Sequence, residues 1–171
     1  MRMSDANLYA KILGLRKPWR VLNVTVSEAL KTITVFICPE PGSPLRCPHC
    51  RQICPGYDSR ARRWRHLDTC EYQTWIEADV PRVQCPEHGC VQVSIAWASS
   101  HSRYTKKFEM MVLDWLRETT IQAVSRRLGL SWSAIDGILR RAVTRGLLRR
   151  ASPATPTFVL TKLRLPKGGI T

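Results

Sequence analysis

Acidic side chains are scarce in this chain of 171 residues: 13 Asp and Glu stand against 27 Lys and Arg, a formal net charge of +14. That imbalance disfavours a carboxylate-lined catalytic site and points to a polyanionic partner. Long apolar runs are missing as well. No stretch of about 18 apolar residues exists, so no segment reads as a membrane-spanning helix and no membrane partner is expected. The first residues, "MRMSDANLYAKILGLRKPWR", are broken by Asp5, Asn7 and Lys11 and lack the apolar core of a signal peptide. A cytoplasmic location is the resulting expectation, with the thiols held reduced. The seven cysteines are an odd number, which argues against a fully paired disulfide framework. Internal repeats are also lacking.

The charge that is present is unevenly spread. Residues 71–101 carry 1 basic and 4 acidic side chains, whereas residues 102–150 carry 11 and 4. A polyanion-binding surface is therefore sought first in the second half. Periodicity divides the chain at the same place. Residues 19–26 and 31–38 are rich in Val, Thr, Ile and Phe and predict a hairpin joined around "SEAL". "ANLYAKILGL" ahead of it predicts a short helix. From 46 to 98 the chain reads as short strands joined by cysteine turns, with Pro81 expected to demote or bulge the strand in "YQTWIEADVPRVQC". From about 103 the period becomes helical, with Phe108, Met111, Val112, Trp115 and Leu116 on one stripe. The fold class predicted is α+β: an N-terminal helix and β-hairpin over 1–44, a zinc ribbon-like β module over 45–100, a helix-turn-helix domain over 101–150 and an irregular tail over 151–171.

Four of the cysteines form two proline-marked pairs, Cys47 and Cys50 in "CPHC" and Cys85 and Cys90 in "CPEHGC". Four thiolates from two tight turns can surround a tetrahedral Zn²⁺, which prefers soft donors and needs no redox chemistry. His88 is an alternative to Cys90 as the fourth ligand. A redox role for Cys47 and Cys50 would leave the second pair unexplained. Cys38, Cys54 and Cys70 read as structural thiols, and His49 and His66 as surface histidines. "RARRWRHLD" holds four arginines around Trp64. It reads either as a phosphate-contacting strand or as a solvated charged face.

"TIQAVSRRLGLSWSAIDGIL" is the second strong pattern. Ile121, Val124 and Leu128 form the inner face of one helix. Gly129 permits a turn, Leu130 plugs it, and Ile135, Ile138 and Leu139 face inward from the next helix. That is helix-turn-helix spacing, whose second helix enters the major groove of DNA. Ser131, Trp132, Ser133, Asp136 and Arg140 are then placed near the groove, and Arg126, Arg127, Arg141 and Arg145 near phosphates.

Together these pieces resemble the N-terminal half of transposases of the IS-L-three insertion-sequence family. "LYAKILGLRKPWRVLNV", "LRCPHC", "RVQCPEHGC", the helix-turn-helix and "AVTRGLLRR" follow in the family's order over roughly residues 7–150. The resemblance implies recognition of the terminal inverted repeats of an insertion sequence as double-stranded DNA. It also implies a second copy of the chain or a full-length transposase as protein partner. In the family an RNase H-like domain with three carboxylates begins soon after this point. Here "ASPATPTFVLTKLRLPKGGIT" has no acidic residue, so a truncated or frameshifted copy, or a fragment, without catalysis is expected.

Two other functions compete: a zinc-containing helix-turn-helix transcription regulator, and a basic ribosome-associated RNA-binding protein. The order of all the pieces favours the transposase, and a discrete recognition helix disfavours RNA, whose narrow major groove does not admit it. A nuclease built from Glu77, Asp79 and His66 is the catalytic alternative.

Overall fold

A computed structural model describes residues 5–149. The tail expected over 151–171 lies outside the described residues. The order is α1 (Asp5–Leu13), β1 (Trp19–Ser27), β2 (Thr32–Pro39), β3 (Gly56–Arg65), β4 (Gln73–Cys85), β5 (Gly89–Gln92), α2 (Lys106–Glu118), α3 (Ile121–Leu128) and α4 (Trp132–Arg149). The class is α+β, with the strands first and three consecutive helices last.

All five strands belong to one sheet in the order β1-β2-β4-β3, with β5 also paired to β4. β1 and β2 are the expected hairpin. β2 then runs parallel to β4, from Thr32↔Gln73 to Ile37↔Ala78. The boundary expected at residue 44 therefore runs through a continuous sheet and a continuous core. Ile33, Val35 and Ile37 of β2 alternate inward, as a half-buried strand requires, and meet Trp64, Ile76, Ala78 and Val80. Trp64 is wholly buried and edge-on to Trp97, which in turn lies edge-on to Trp19.

Pro81 does not demote its strand; β4 passes straight through it. In a strand, a residue's N–H and C=O point to the same side. The Pro81 carbonyl accepts from the Val93 N–H at 3.0 Å, so its hydrogen-less nitrogen faces that side too. Pairing with β2 ends there at Ala78, and pairing with β5 begins at Arg82. Proline thus occupies the gap between two partners, where no ladder bond is lost. Beside it the partner strand β3 carries an extra residue between Gly56 and Asp58. Buried positions in β4 are Thr74, Ile76, Ala78 and Val80 before this irregularity, but Val83 and Cys85 after it. The change of phase turns Cys85 toward the interior.

Helices α2, α3 and α4 have a separate core of Phe108, Val112, Val124, Leu128, Leu130, Ala134, Ile135 and Ile138. Thr105 and Thr120 cap α2 and α3, accepting from the Phe108 and Ala123 N–H groups at 3.2 and 3.3 Å. Gly129 ends α3 in the left-handed region at φ 64°, and Leu130 is buried in the turn.

His66, expected at the surface, is buried with 3% exposure and its Nδ1 lies 2.9 Å from the Thr105 hydroxyl. It joins the end of β3 to the start of α2. Burial and the Lys107 charge bring its pKa down to about 4, so the native state holds it neutral.

Two stability predictions follow from these cores. Ile135→Ala should lower the unfolding free energy by about 2–5 kcal/mol because it opens a cavity. Gly129→Ala meets no atom within 4 Å, so only the left-handed backbone is penalised, by about 1–2 kcal/mol. Urea titration followed by circular dichroism should rank them in that order. The depressed His66 pKa means the unfolded chain takes up the proton first. Stability from His66 is therefore full above about pH 6.5 and declines as pH falls toward about 4. His66→Asn should flatten the wild-type stability slope across that window.

Candidate metal centre and nucleic-acid interface

Two turns of matching design meet at the end of the sheet. The first is Cys47-Pro48-His49-Cys50, closed by the Arg51 N–H donating to the Cys47 carbonyl at 3.0 Å. The second is Cys85-Pro86-Glu87-His88, directly after β4. Each is followed by a residue with left-handed backbone, Arg51 at φ 62° and Gly89 at φ 65°. That reversal folds each turn so that its first and fourth side chains point to one place.

The donor atoms of Cys47, Cys50, Cys85 and His88 all lie within 4.8 Å of one another. His88 Nδ1 is 3.7 Å from Cys47 Sγ and 3.5 Å from Cys85 Sγ, and Cys50 Sγ is 3.6 Å from Cys85 Sγ. A tetrahedral ion with metal–sulfur bonds of about 2.3 Å and metal–nitrogen bonds of about 2.0 Å sets S···S edges near 3.8 Å and S···N edges near 3.5 Å. The donor set therefore has the size and softness of a four-coordinate metal site. Cys90, expected as the fourth ligand, is not in the cluster. It lies opposite Gln84 on the exposed side of β5. The sequence signal for His88 is the spacing itself: C-P-x-C and C-P-x-H repeat the same three-residue step, whereas Cys90 lies beyond the reversal at Gly89.

Ionisation of this cluster is uneven. Burial pushes the Cys85 thiol up, but hydrogen bonds from the His88 ring and the Glu87 and His88 backbone outweigh it and bring it down to about 6. At Cys50 the Gln52 backbone favours the thiolate, but desolvation and the Cys47 and Cys85 sulfurs leave the thiol pushed up to about 11. One thiolate forms readily and opposes the next. A divalent cation reverses that opposition, because it is the largest local charge and stabilises every thiolate it touches.

At the second site, the residues assigned to DNA divide into two groups. Ser131, Trp132 and Ser133 are exposed at the start of α4. The Ser131 hydroxyl accepts from the Ala134 N–H at 3.2 Å and lies 3.0 Å from the Ser133 hydroxyl. Asp136 and Arg140 form an ion pair at 2.7 Å one turn further on, with the Arg140 side chain 80% exposed. Arg126 and Arg127 are exposed on α3, Arg127 lying 5.7 Å from the Trp115 ring centroid. This group presents one polar, basic end of the helix pair to solvent.

Arg141 and Arg145 correct the expectation. Both turn inward to Glu109 of α2, at 2.8 and 3.0 Å. Glu109 is fully buried and also accepts from the Ser102 hydroxyl at 2.8 Å. A buried carboxylate without cations would be expensive, so two arginines are committed to it. Spacing alone hides this pair, because a glutamate on a helix reads as a solvent-facing residue. Trp64, at the centre of "RARRWRHLD", is core and cannot stack on a base.

A cysteine-and-histidine metal knuckle joined to a helix-turn-helix defines a class of nucleic-acid-binding module. Residues 43–90 match the zinc-finger of transposase IS204/IS1001/IS1096/IS1165, and residues 93–143 match the helix-turn-helix domain of transposase family ISL3. These residues belong to the ISL3 transposase family, as the N-terminal zinc-finger and helix-turn-helix region. The chain is 30% identical over 146 residues to the "Transposase for insertion sequence element IS1557" of Mycobacterium tuberculosis, in the strains CDC 1551 / Oshkosh and ATCC 25618 / H37Rv. The alignment takes in 81% of this chain and 33% of each relative, so the chain spans about a third of the length of the curated relatives it matches. No solved structure matches. Among the described residues, no helix is long and apolar enough to cross a membrane.

Elemental analysis should find about one metal ion per chain in the wild type and in Cys90→Ser, and almost none in Cys85→Ser or His88→Ala. Glu109→Gln should cost about 3 kcal/mol in urea unfolding. It strips two arginines of their counter-charge, near the lower end of the usual range because both are partly exposed.

Proposed function

We propose that this chain is the DNA-recognising portion of an insertion-sequence transposase, that it binds the terminal inverted repeats, and that its knuckle holds Zn²⁺. The observation that carries the reading is the co-occurrence, in one chain and in the family's order, of the Cys47–Cys50–Cys85–His88 cluster and a capped helix-turn-helix. Zn²⁺ suits three thiolates and an imidazole at tetrahedral spacing, and four protein ligands leave no open position for chemistry. Its role is structural: it fastens the two turns where the sheet has little core of its own.

Recognition falls to the start of α4. Ser131, Trp132 and Ser133 are exposed where a helix-turn-helix meets base edges. Arg140 is held in place by Asp136 and can turn to a base, as arginine does toward guanine. Arg126 and Arg127 fix the register through phosphates. Arg141 and Arg145 act indirectly, by holding α4 against α2.

Cutting and joining are not assigned to these residues. Among the described residues, the one group of three or more clustered metal-ligand side chains is the knuckle itself. Glu77 pairs with Arg63 at 3.1 Å on the open face of the sheet, while His66 is buried beside Thr105. The nuclease alternative therefore lacks a converging set of carboxylates, which two-metal phosphoryl transfer requires.

Fluorescence anisotropy with an inverted-repeat duplex and a scrambled duplex tests the reading. Ser133→Ala and Arg140→Ala should each lower preference for the repeat by about 1–3 kcal/mol, while Arg126→Ala should weaken both duplexes alike and reduce the salt slope by about one. Equal affinity for the two duplexes at physiological salt would leave only electrostatic attraction. Incubation of the repeat duplex with Mg²⁺ should leave it intact.

A further inference from the structure

A groove of about 590 Å³ runs between the metal knuckle and the loop that leads into α2. No Asp or Glu is among its lining residues, whereas Arg62, Lys106, His49 and His101 are. We propose that this groove takes the phosphate backbone of duplex DNA flanking the segment read by α4. The proposal rests on the DNA-binding reading above and adds a second contact region to it.

Arg62 carries the argument. It lies on β3 with its guanidinium 5.4 Å from the centroid of the buried Trp64 ring. Two of its N–H groups donate to the Gln92 side-chain oxygen at 3.3 Å and the Ser102 carbonyl at 3.5 Å. Both acceptors are neutral, and among the described residues Arg62 has no carboxylate partner. Its charge is uncompensated, and three of its five donors remain for a ligand. Of the other arginines of β3, Arg63 pairs with Glu77 and Arg65 with Asp68, so their fields are largely cancelled, while Arg60 is exposed and is not among the residues lining the groove. Arg62 is thus the member of "RARRWRHLD" that is both held in place and electrostatically available, which is the arrangement of a phosphate clamp.

The surroundings fit the same ligand. Lys106 is exposed at the start of α2 and His101 and Ser100 are exposed at the rim. The groove is also continuous with the helical domain. Arg145 of α4 donates to the Ser99 hydroxyl at 3.3 Å, so the wall of the groove is bonded to the recognition helix. Arg145 is 13 residues beyond Trp132, about 20 Å along a helix. Occupation of both regions therefore calls for a duplex longer than the segment in contact with the start of α4. The groove is not a base-reading surface: its basic side chains are spread around a wall that also includes Val91, Val93 and Ile95, and the nearby aromatic ring is buried.

Salt dependence separates phosphate contacts from the rest. The full chain, metal-loaded, would be titrated with a duplex limited to the helix-turn-helix site and with one extended on each side. Arg62→Gln and Lys106→Gln should each reduce the salt slope on the extended duplex by about 0.9, roughly eightfold in affinity per tenfold dilution of salt. The short duplex should respond less, and preference for repeat over scrambled sequence should persist. Ser100→Asp, an exposed change that touches no core, should weaken the extended duplex in the same way. Metal content and circular dichroism confirm the fold of each variant. Unchanged slopes in folded Lys106→Gln and Ser100→Asp, with Arg126→Ala still weakened, overturn the groove and leave the DNA reading standing. Failure of the wild type to bind either duplex overturns both. Loss of single-stranded RNA affinity with duplex DNA unaffected overturns duplex DNA as the occupant.

Discussion

The double pairing of β4 is the constraint on which the rest of the molecule depends. Its first half lies between β2 and β3, and its second half between β5 and β3. A strand flanked on both sides cannot slip without reversing which side chains are buried. The register that buries Ile76 and Val80 therefore also decides where Cys85 emerges. The extra residue near Tyr57 and the hydrogen-less nitrogen of Pro81 mark the point where the buried phase changes. Without that change Cys85 would face the opposite side of the sheet from Ile76 and Val80, away from Cys47 and Cys50. The metal knuckle is thus a consequence of strand register as much as of cysteine spacing.

A second constraint acts on the helices. Glu109 sits in the helical core, where an ionised carboxylate is tolerated only with partners. It collects the Ser102 hydroxyl, Arg141 and Arg145. Three segments are joined by one side chain: the loop leaving the sheet, α2 and α4. Replacement by an apolar residue of similar shape would lose the directionality of three hydrogen bonds. The network ties α4 to α2 and to the loop that leaves the sheet. His66 adds a smaller tie of the same kind, linking β3 to the cap of α2.

Much of this was legible in the residues. The stripes of α3 and α4, the caps Thr120 and Ser131, and Gly129 in its left-handed turn are local signals that survive without tertiary context. The hairpin of β1 and β2 is local too. What escaped the sequence is non-local. Nothing in "KTITVFICP" announces that it will lie parallel to a strand forty residues later. The expectation that Pro81 demotes or bulges its strand meets a bulge only in the partner β3, because the gap between β2 and β5 that admits proline exists only in three dimensions. Glu109, Arg141 and Arg145 are separated by 32 and 36 residues, and charge on a helix normally means solvent. His66 followed the same pattern. The fourth ligand is a different case: the repeated step from Cys47 to Cys50 and from Cys85 to His88 was present in the letters, but a like-for-like preference for cysteine favoured Cys90.

These constraints form a chain of rigid connections from metal to recognition helix. The knuckle pins the end of β4 and the start of β5. β5 leads through Val93, bonded to Pro81, and Trp97, packed on Trp64, to the Ser99–Ser102 turn. That turn is bonded to Arg62 on one side and to Arg145 and Glu109 on the other. The links along this path include a backbone bond to Pro81, aromatic packing and a buried charge. A metal distant from the reading end of α4 can therefore influence how that end is presented, through position alone and without touching DNA. The same rigidity explains why a sheet module and a helix-turn-helix are useful in one chain. Two loosely tethered units would each bind with the entropy of an independent event, whereas two contact regions held at a fixed separation present themselves to one duplex together.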